Sequence, residues 1–288
     1  MGVNDGRDTR VAVCCYEGDG HQVIEALEFF LHHELPLTVL SPEDSKVEVN
    51  YPGVTSRFGG KRAYIGQDSL DRQAEHLRLL LEFPESTFLI HDADSVLLDP
   101  VLPQYLYDEP DVVWSNQVND AIPQHQSTFK PGWPHVAFQP PYFLSRKTIE
   151  AMLAVKDHPD VQATPVMPFI DYYMVQLTMV AGLPWKRLLD SISCPISIDL
   201  RKKNPPAADL LTYEQGYKIA MDSVLNKGTN VLHSVKNSVA IRNLAAARQE
   251  YLRTHPGAGS KFFPAPKIGS GPLDVTGQMP LNNVGQKA

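Results

Sequence analysis

The chain has 288 residues, enough for one large domain or two small ones with a sizeable core. Hydrophobic residues make up 43% and charged residues 20%, a balance that excludes global disorder, a collagen-like fibre and a coiled coil. With 26 Lys plus Arg against 33 Asp plus Glu, the formal net charge of −7 leaves no whole-molecule positive field to hold a polyanion; only a local basic groove is compatible with it.

Residues Arg10 to Tyr16 form a short β-favouring run. The glycine-containing EGDGH that follows leads into HQVIEALEFFLHH, whose apolar residues recur at helical spacing. LPLTVLSP predicts a second strand, SLDRQAEHLRLLLEF an amphipathic helix, and STFLI a third strand with an almost continuous apolar core. Alternating strands and helices imply a parallel sheet covered on both faces. DVVWSNQ reads as another strand, and HVAFQPPYFLSR as a strand or hairpin arm broken at its paired prolines before a helix in KTIEAMLAVKD. Between Asp120 and Pro134 the chain is polar and rich in Pro, Gly and Gln, the composition of a surface loop long enough to cover a substrate. DYYMVQLTMVA predicts a helix stopped at Gly182, and PWKRLLD a strand. The last 34 residues hold 11 Pro or Gly without periodicity, as expected of an irregular tail.

The three cysteines, Cys14, Cys15 and Cys194, are odd in number, and two are adjacent in an apolar run, which argues for reduced thiols. The first ten residues lack an apolar signal region. The apolar stretch Tyr172 to Leu183 is interrupted by Gln176 and Thr178 and falls short of the roughly 20 residues that cross a bilayer. The expectation is a soluble protein without a membrane span, localised in the cytoplasm of a bacterium or of a virus-infected host.

The most informative segment is TFLIHDADSVLLDP, in which Asp92 and Asp94 follow a buried strand pattern. Ligands of open parallel sheets gather at the C-terminal ends of strands. Two carboxylates there supply hard oxygen ligands for Mg²⁺ or Mn²⁺, and such a cation neutralises a diphosphate that the carboxylates alone would repel. A D-x-D pair by itself is poor evidence, and a solvated strand end or a helix cap is the plainer alternative. Strand alternation turns His91 away from Asp92, so it is not assigned to metal.

An N-terminal strand, turn and helix, together with an apolar strand ending in HDAD, resemble the GT-A-fold glycosyltransferases over roughly residues 10 to 240. The resemblance implies a Rossmann-type mixed, mainly parallel sheet flanked by helices in a single domain (1–254), followed by the Pro/Gly-rich tail (255–288). It further implies a nucleotide-sugar donor, UDP-sugar by preference, a divalent metal (Mn²⁺ or Mg²⁺) bridging its diphosphate, and transfer of the sugar to an acceptor. NVLHSVKN looks like the C-terminal metal-histidine segment of glycogenin-like members, although the fuller pattern H-x-x-G-x-x-K-P-W is absent. By that likeness His233 is a third metal ligand and Lys236 a cation beside the leaving diphosphate; a structural histidine and a solvated lysine are the alternatives.

Members of this family place an acidic residue before an acceptor-side helix, and Asp171 stands at such a place, as a base if the enzyme inverts the anomeric centre or otherwise as an orienting group. Helix capping is the competing task. The resemblance puts Tyr16 and Glu17 against the nucleotide base and gives Arg72 the spacing of an arginine that approaches the donor, against core packing for Tyr16 and a solvent-facing helix charge for Arg72. Trp133 offers an aromatic face to a sugar or acceptor ring, or plain packing. The basic cluster RKKNPP suits a solvated loop, or phosphate contact if the acceptor is a nucleic acid. Two other activities compete. Sugar nucleotidyl transfer usually needs a Gly- and Arg-rich phosphate loop after the first strand, where this chain has the acidic CCYEGDGHQV; a non-catalytic nucleotide-sugar-binding protein would keep the fold without turnover. The acceptor class is left open between glycan, metabolite, protein and modified DNA base; net charge gives no indication of a nucleic-acid acceptor.

Overall fold

A computed structural model describes residues 8–15, 35–63, 65–93, 96–97, 105–119, 133, 136–162, 170–188, 191–196, 207–227, 231–235 and 238–255. In chain order the elements are β1 (Thr9–Cys14), β2 (Leu37–Ser41), β3 (Val54–Phe58), α1 (Gln67–Leu80), β4 (Thr87–Asp92), β5 (Val96–Leu97), α2 (Tyr105–Asp108) and β6 (Val113–Asn119). They continue with β7 (Val136–Ser145), α3 (Arg146–Ala154), α4 (Ile170–Val180), β8 (Trp185–Arg187), β9 (Ser191–Ile196), α5 (Ala207–Lys227), β10 (Val231–Val235) and α6 (Ser238–Thr254). The helix expected after the first strand, the Asp120–Pro134 loop apart from Trp133, and the tail beyond residue 255 lie outside the described residues.

Seven of the described strands form one sheet in the order β3-β2-β1-β4-β7-β6-β8. The pairs β2–β3, β1–β2, β1–β4 and β6–β8 are parallel, and β7 runs antiparallel to both neighbours. The sheet is thus mixed and mainly parallel, as the resemblance implies, whereas the alternation of elements by itself predicts a parallel sheet without the antiparallel β7. A second described sheet, β5-β10-β9, meets β6 and β7 through β9 and β10.

Period-2 alternation assigns the two faces. Ala12, Leu40, Phe88, Ile90, Tyr142 and Leu144 turn one way and pack on Leu70 and Leu77 of α1, Ile149 and Met152 of α3, and Met174 and Leu177 of α4. Val11, Val13, Val39, Leu89 and Phe143 turn the other way, toward Tyr105, Leu106 and Trp114. Fully burying one such Leu or Phe side chain contributes about 1.5–3 kcal/mol, so the two apolar faces, more than hydrogen bonding, fix the sheet between its layers.

Two polar devices hold the helix–strand connections in place. Ser145 caps α3 by accepting from the Thr148 amide at 3.1 Å. The Arg146 guanidinium donates to the carbonyls of Leu81 (2.9 Å), Glu85 (3.2 Å) and Phe83 in the turn between α1 and β4. That turn aims β4, and with it Asp92.

The paired prolines do not break β7. Leading to them, Gln139 opposes Asn116 of β6; beyond them Tyr142 opposes Ser115, so Pro140 and Pro141 are two extra residues bulged out of the pairing. On the other side, pairing with β4 stops at Ile90↔Tyr142. Both prolines therefore sit where no ladder amide is required, which is how a strand accommodates residues that lack an N–H.

Candidate functional site

The order of strands reverses between β1 and β4: the chain moves from β1 to β2 on one side, while β4 flanks β1 on the other. In open α/β sheets such a reversal opens a crevice at the strand C-termini. Cys14 and Asp92, the last residues of β1 and β4, are register partners at that point. The ladder closes one step further, where the Ala93 amide donates to the Cys14 carbonyl at 3.0 Å, and the Cys15 amide donates to Leu40 at 3.0 Å. Both Asp92 and Cys14 are half-buried. Their alternation directs them to the face covered by α1, α3 and α4, the face of Ile90 and Tyr142.

Around this pair the structure gathers three further groups. Tyr142, buried on β7, donates its hydroxyl to the Phe138 carbonyl at 2.7 Å and so spans the two-proline bulge. Burial, then the charges of Asp171 and Asp92, push its phenol well above the usual range, and the hydroxyl stays a donor throughout. Asp171 lies in the first turn of α4, half-buried, where the helix dipole favours a carboxylate. Arg72, on α1, is not a solvent-facing charge: it is 6% exposed, and its Nη1 donates to the Ala63 carbonyl at 2.5 Å. Because α1 crosses back between the parallel strands β3 and β4, its N-terminal half lies at the same end of the sheet as Asp92. Burial raises the Cys14 thiol well above its ordinary range; the neighbouring Asp92 adds to the rise and Arg72 opposes it, so both charges converge on one sulfur.

His91 is fully buried on the opposite face from Asp92, in keeping with alternation. Trp133 packs against Ala137 and Tyr172, the packing alternative for this residue, one position from Asp171. The backbone of His233 belongs to β10, whose Leu232 pairs with Val96 of β5, two positions after Asp94 in sequence. The strand carrying the expected third ligand thus runs beside the strand that follows the acid pair. Asp94, Tyr16, Glu17, Lys236 and the RKKNPP cluster lie outside the described residues, as does the side chain of His233. Among the described residues no group of three or more His, Cys, Asp or Glu is placed to hold a metal ion. Asp92, a hard oxygen donor at the mouth of the switch point, suits Mg²⁺ or Mn²⁺.

Sequence reasoning gave no role to Tyr142 or Cys14. For Tyr142 the only available signal is its place directly after the paired prolines in FQPPYF; for Cys14 it is the end of the first apolar run.

No known protein family profile matches the chain, and no curated protein matches it. Among solved structures the chain is similar to the glycosyltransferase GlyE of Streptococcus pneumoniae TIGR4, at 12% identity and a TM-score of 0.42, over 85% of this chain and 64% of that one. Its apo form gives 12% identity and a TM-score of 0.41, over 86% of this chain and 64% of that one. The inositol-1-phosphate CTP transferase of T. maritima is similar at 11% identity and a TM-score of 0.34, over 63% of this chain and 85% of that one. The chain therefore spans less than two-thirds of the length of the glycosyltransferase chains it matches. No described helix is long and apolar enough to cross a membrane.

Proposed function

We propose that the chain is a metal-dependent glycosyltransferase that moves a sugar from a nucleotide-sugar, UDP-sugar by preference, to an acceptor hydroxyl. One observation carries this reading: Asp92 stands at the topological switch point as the register partner of Cys14, on the sheet face toward which Arg72 and Asp171 contribute their charges.

Asp92, with Asp94 and His233, is the set that would hold the divalent cation. A cation there supplies positive charge that neutralises the diphosphate and its leaving oxygen. Arg72 and Lys236 add fixed positive charge toward the same diphosphate, stabilising what accumulates as the bond from anomeric carbon to phosphate oxygen breaks. Tyr16 and Glu17 take the nucleotide base. Asp171 approaches from α4 and, for an inverting reaction, accepts the proton of the acceptor hydroxyl as its oxygen bonds to the anomeric carbon; the nucleoside diphosphate leaves with the electron pair. Holding donor and acceptor in this geometry removes the entropic part of the barrier.

The test is a panel of nucleotide-sugars with Mn²⁺ or Mg²⁺, scored first for slow donor hydrolysis, which needs no acceptor. Metal-dependent release of nucleoside diphosphate that disappears in Asp92→Asn supports the proposal. Pyrophosphate release from a nucleoside triphosphate and a sugar phosphate, or tight donor binding with no turnover on any acceptor, would replace it with nucleotidyl transfer or with binding alone.

A further inference from the structure

The connection from β3 to α1 begins Gly59-Gly60-Lys61-Arg62-Ala63, and it touches Arg72 twice. Gly60 has φ +71, and a Cβ built there would lie 2.5 Å from the Cα of Arg72 and 2.7 Å from its Cβ, closer than real atoms approach. Three residues on, Ala63 accepts from the Arg72 guanidinium at 2.5 Å. The turn is itself anchored to the end of β2 and the residues after it. Gly59 donates to Ser41 at 3.0 Å, Glu43 donates to the Gly60 carbonyl at 2.9 Å, and the Arg62 amide donates to Asp44 at 2.6 Å. A cation this deeply buried is expensive unless its surroundings are arranged for it, and a guanidinium recognises phosphate oxygens only when its planar fork is oriented. Backbone contact at Gly60 sets where the Arg72 stem leaves the helix, and the Ala63 carbonyl sets the rotation of its head.

We infer that Gly60 is a positioning residue that fixes the Arg72 guanidinium for a ligand diphosphate at the Cys14–Asp92 switch point, making the Gly59–Ala63 turn part of the ligand site. The inference rests on the reading of that point as a diphosphate site. The three heavy atoms nearest a Cβ at Gly60 are the Cα, Cβ and Cγ of Arg72, so a side chain there meets Arg72 first.

The experiment measures UDP and inorganic pyrophosphate binding to the full chain with Mn²⁺ by calorimetry. Arg72→Gln is expected to lower affinity for both at least tenfold, and Gly60→Ala at least fivefold. The double variant should lose no more than Arg72→Gln alone, because the second change removes what the first one positions. Gly53→Ala is the control: Gly53 has φ +85, and nothing lies within 4 Å of where a Cβ would stand, so it carries the same backbone penalty without the contact and should stay within twofold of wild type. Arg72→Lys keeps the charge, discards the fork and leaves Gly60 intact, so it can refute the inference, by showing that no oriented fork is needed, even where Gly60→Ala does not fold; at least fivefold weaker binding is expected. Wild-type affinity in Arg72→Lys or Gly60→Ala, losses that multiply in the double variant, or a loss confined to UDP with pyrophosphate unaffected would overturn the inference. These losses in a chain that transfers no sugar would refute the transferase reading and leave the inference standing, whereas tight UDP binding indifferent to all these variants would sink the inference alone.

Discussion

Cys14 and Asp92 end neighbouring parallel strands in register, and the Asp92 carboxylate raises the thiol that burial has already raised, while Arg72 lowers it. The thiol is therefore protonated and a poor nucleophile at neutral pH. In metal-free buffer near pH 8, alkylation of Cys14 followed by mass spectrometry should be slow in the native chain. Asp92→Asn removes a charge that opposes the thiolate and should speed the reaction; Arg72→Gln removes one that favours it and should slow the reaction further. Equal rates in all three would mean that neither charge reaches the sulfur.

The β7 bulge depends on Tyr142. Its hydroxyl crosses from one side of the two prolines to the Phe138 carbonyl on the other, and the ring fills the core beside Ile90. Tyr142→Phe keeps the ring and loses the bond, leaving a buried carbonyl without that donor, at a cost of about 1 kcal/mol. Thermal unfolding should show a melting temperature lower by about 2–4 °C. If the bulge positions the sheet edge beside Asp92, metal-dependent donor binding weakens in the same variant; a lower melting temperature with unchanged binding would confine Tyr142 to stability.

Much of this architecture is legible in the sequence because it rests on apolar periodicity. The runs Arg10 to Tyr16, LPLTVLSP and STFLI predict parallel strands, and the structure pairs β1 with β2 and with β4 so, bringing Asp92 to the strand end where HDAD suggests it. What escapes is set by tertiary contact. The buried side of α1 includes Ser69, Arg72, Gln73 and His76 beside its leucines, so a reading that equates polar with exposed sends Arg72 to solvent. Continuous β7 escapes because prolines forbid a ladder amide only where a partner strand requests one, and neither neighbour does so at Pro140 and Pro141. The long α5 carries Gly216 and exposed Ile219 and Leu225, a weak stripe that periodicity does not detect. Which charges meet at Cys14 depends on strand order, which no local pattern encodes.

At the opposite end of the parallel strands, Arg10 forms a two-point pair with Glu85, Nε to Oε2 at 3.0 Å and Nη2 to Oε1 at 2.8 Å, and lies 3.9 Å over the Phe83 ring. Both side chains are close to buried, at 11% and 9% exposure. Breaking such a pair from one side strands the other charge. Glu85→Gln should therefore cost about 3 kcal/mol in urea unfolding, whereas Arg10→Met combined with Glu85→Leu should cost less, since no charge is left behind. A double variant as unstable as the single one would show that the pair contributes net stability.

His76 makes the stability of the fold sensitive to acid. Its ring is 3% exposed on α1, and neither nitrogen closes a hydrogen bond of good geometry. Burial first, and the Arg72 charge second, depress its pKa from 6.5 to about 3, opposed weakly by the backbone at Ser41 and Gly59. The folded chain thus keeps the ring neutral at pH values where the unfolded chain protonates it. Because the unfolded state binds the extra proton, stability from this group is complete above pH 6.5 and is lost progressively as pH falls toward about 3, by an amount on the order of a few kcal/mol. Urea unfolding at pH 7 and pH 4.5 should show wild-type stability falling across the interval. His76→Gln, which does not titrate, should flatten that part of the profile, while Arg72→Gln should make the loss smaller by letting His76 accept its proton at a higher folded pKa. An acid limb of unchanged slope in His76→Gln would place the sensitivity on the carboxylates instead.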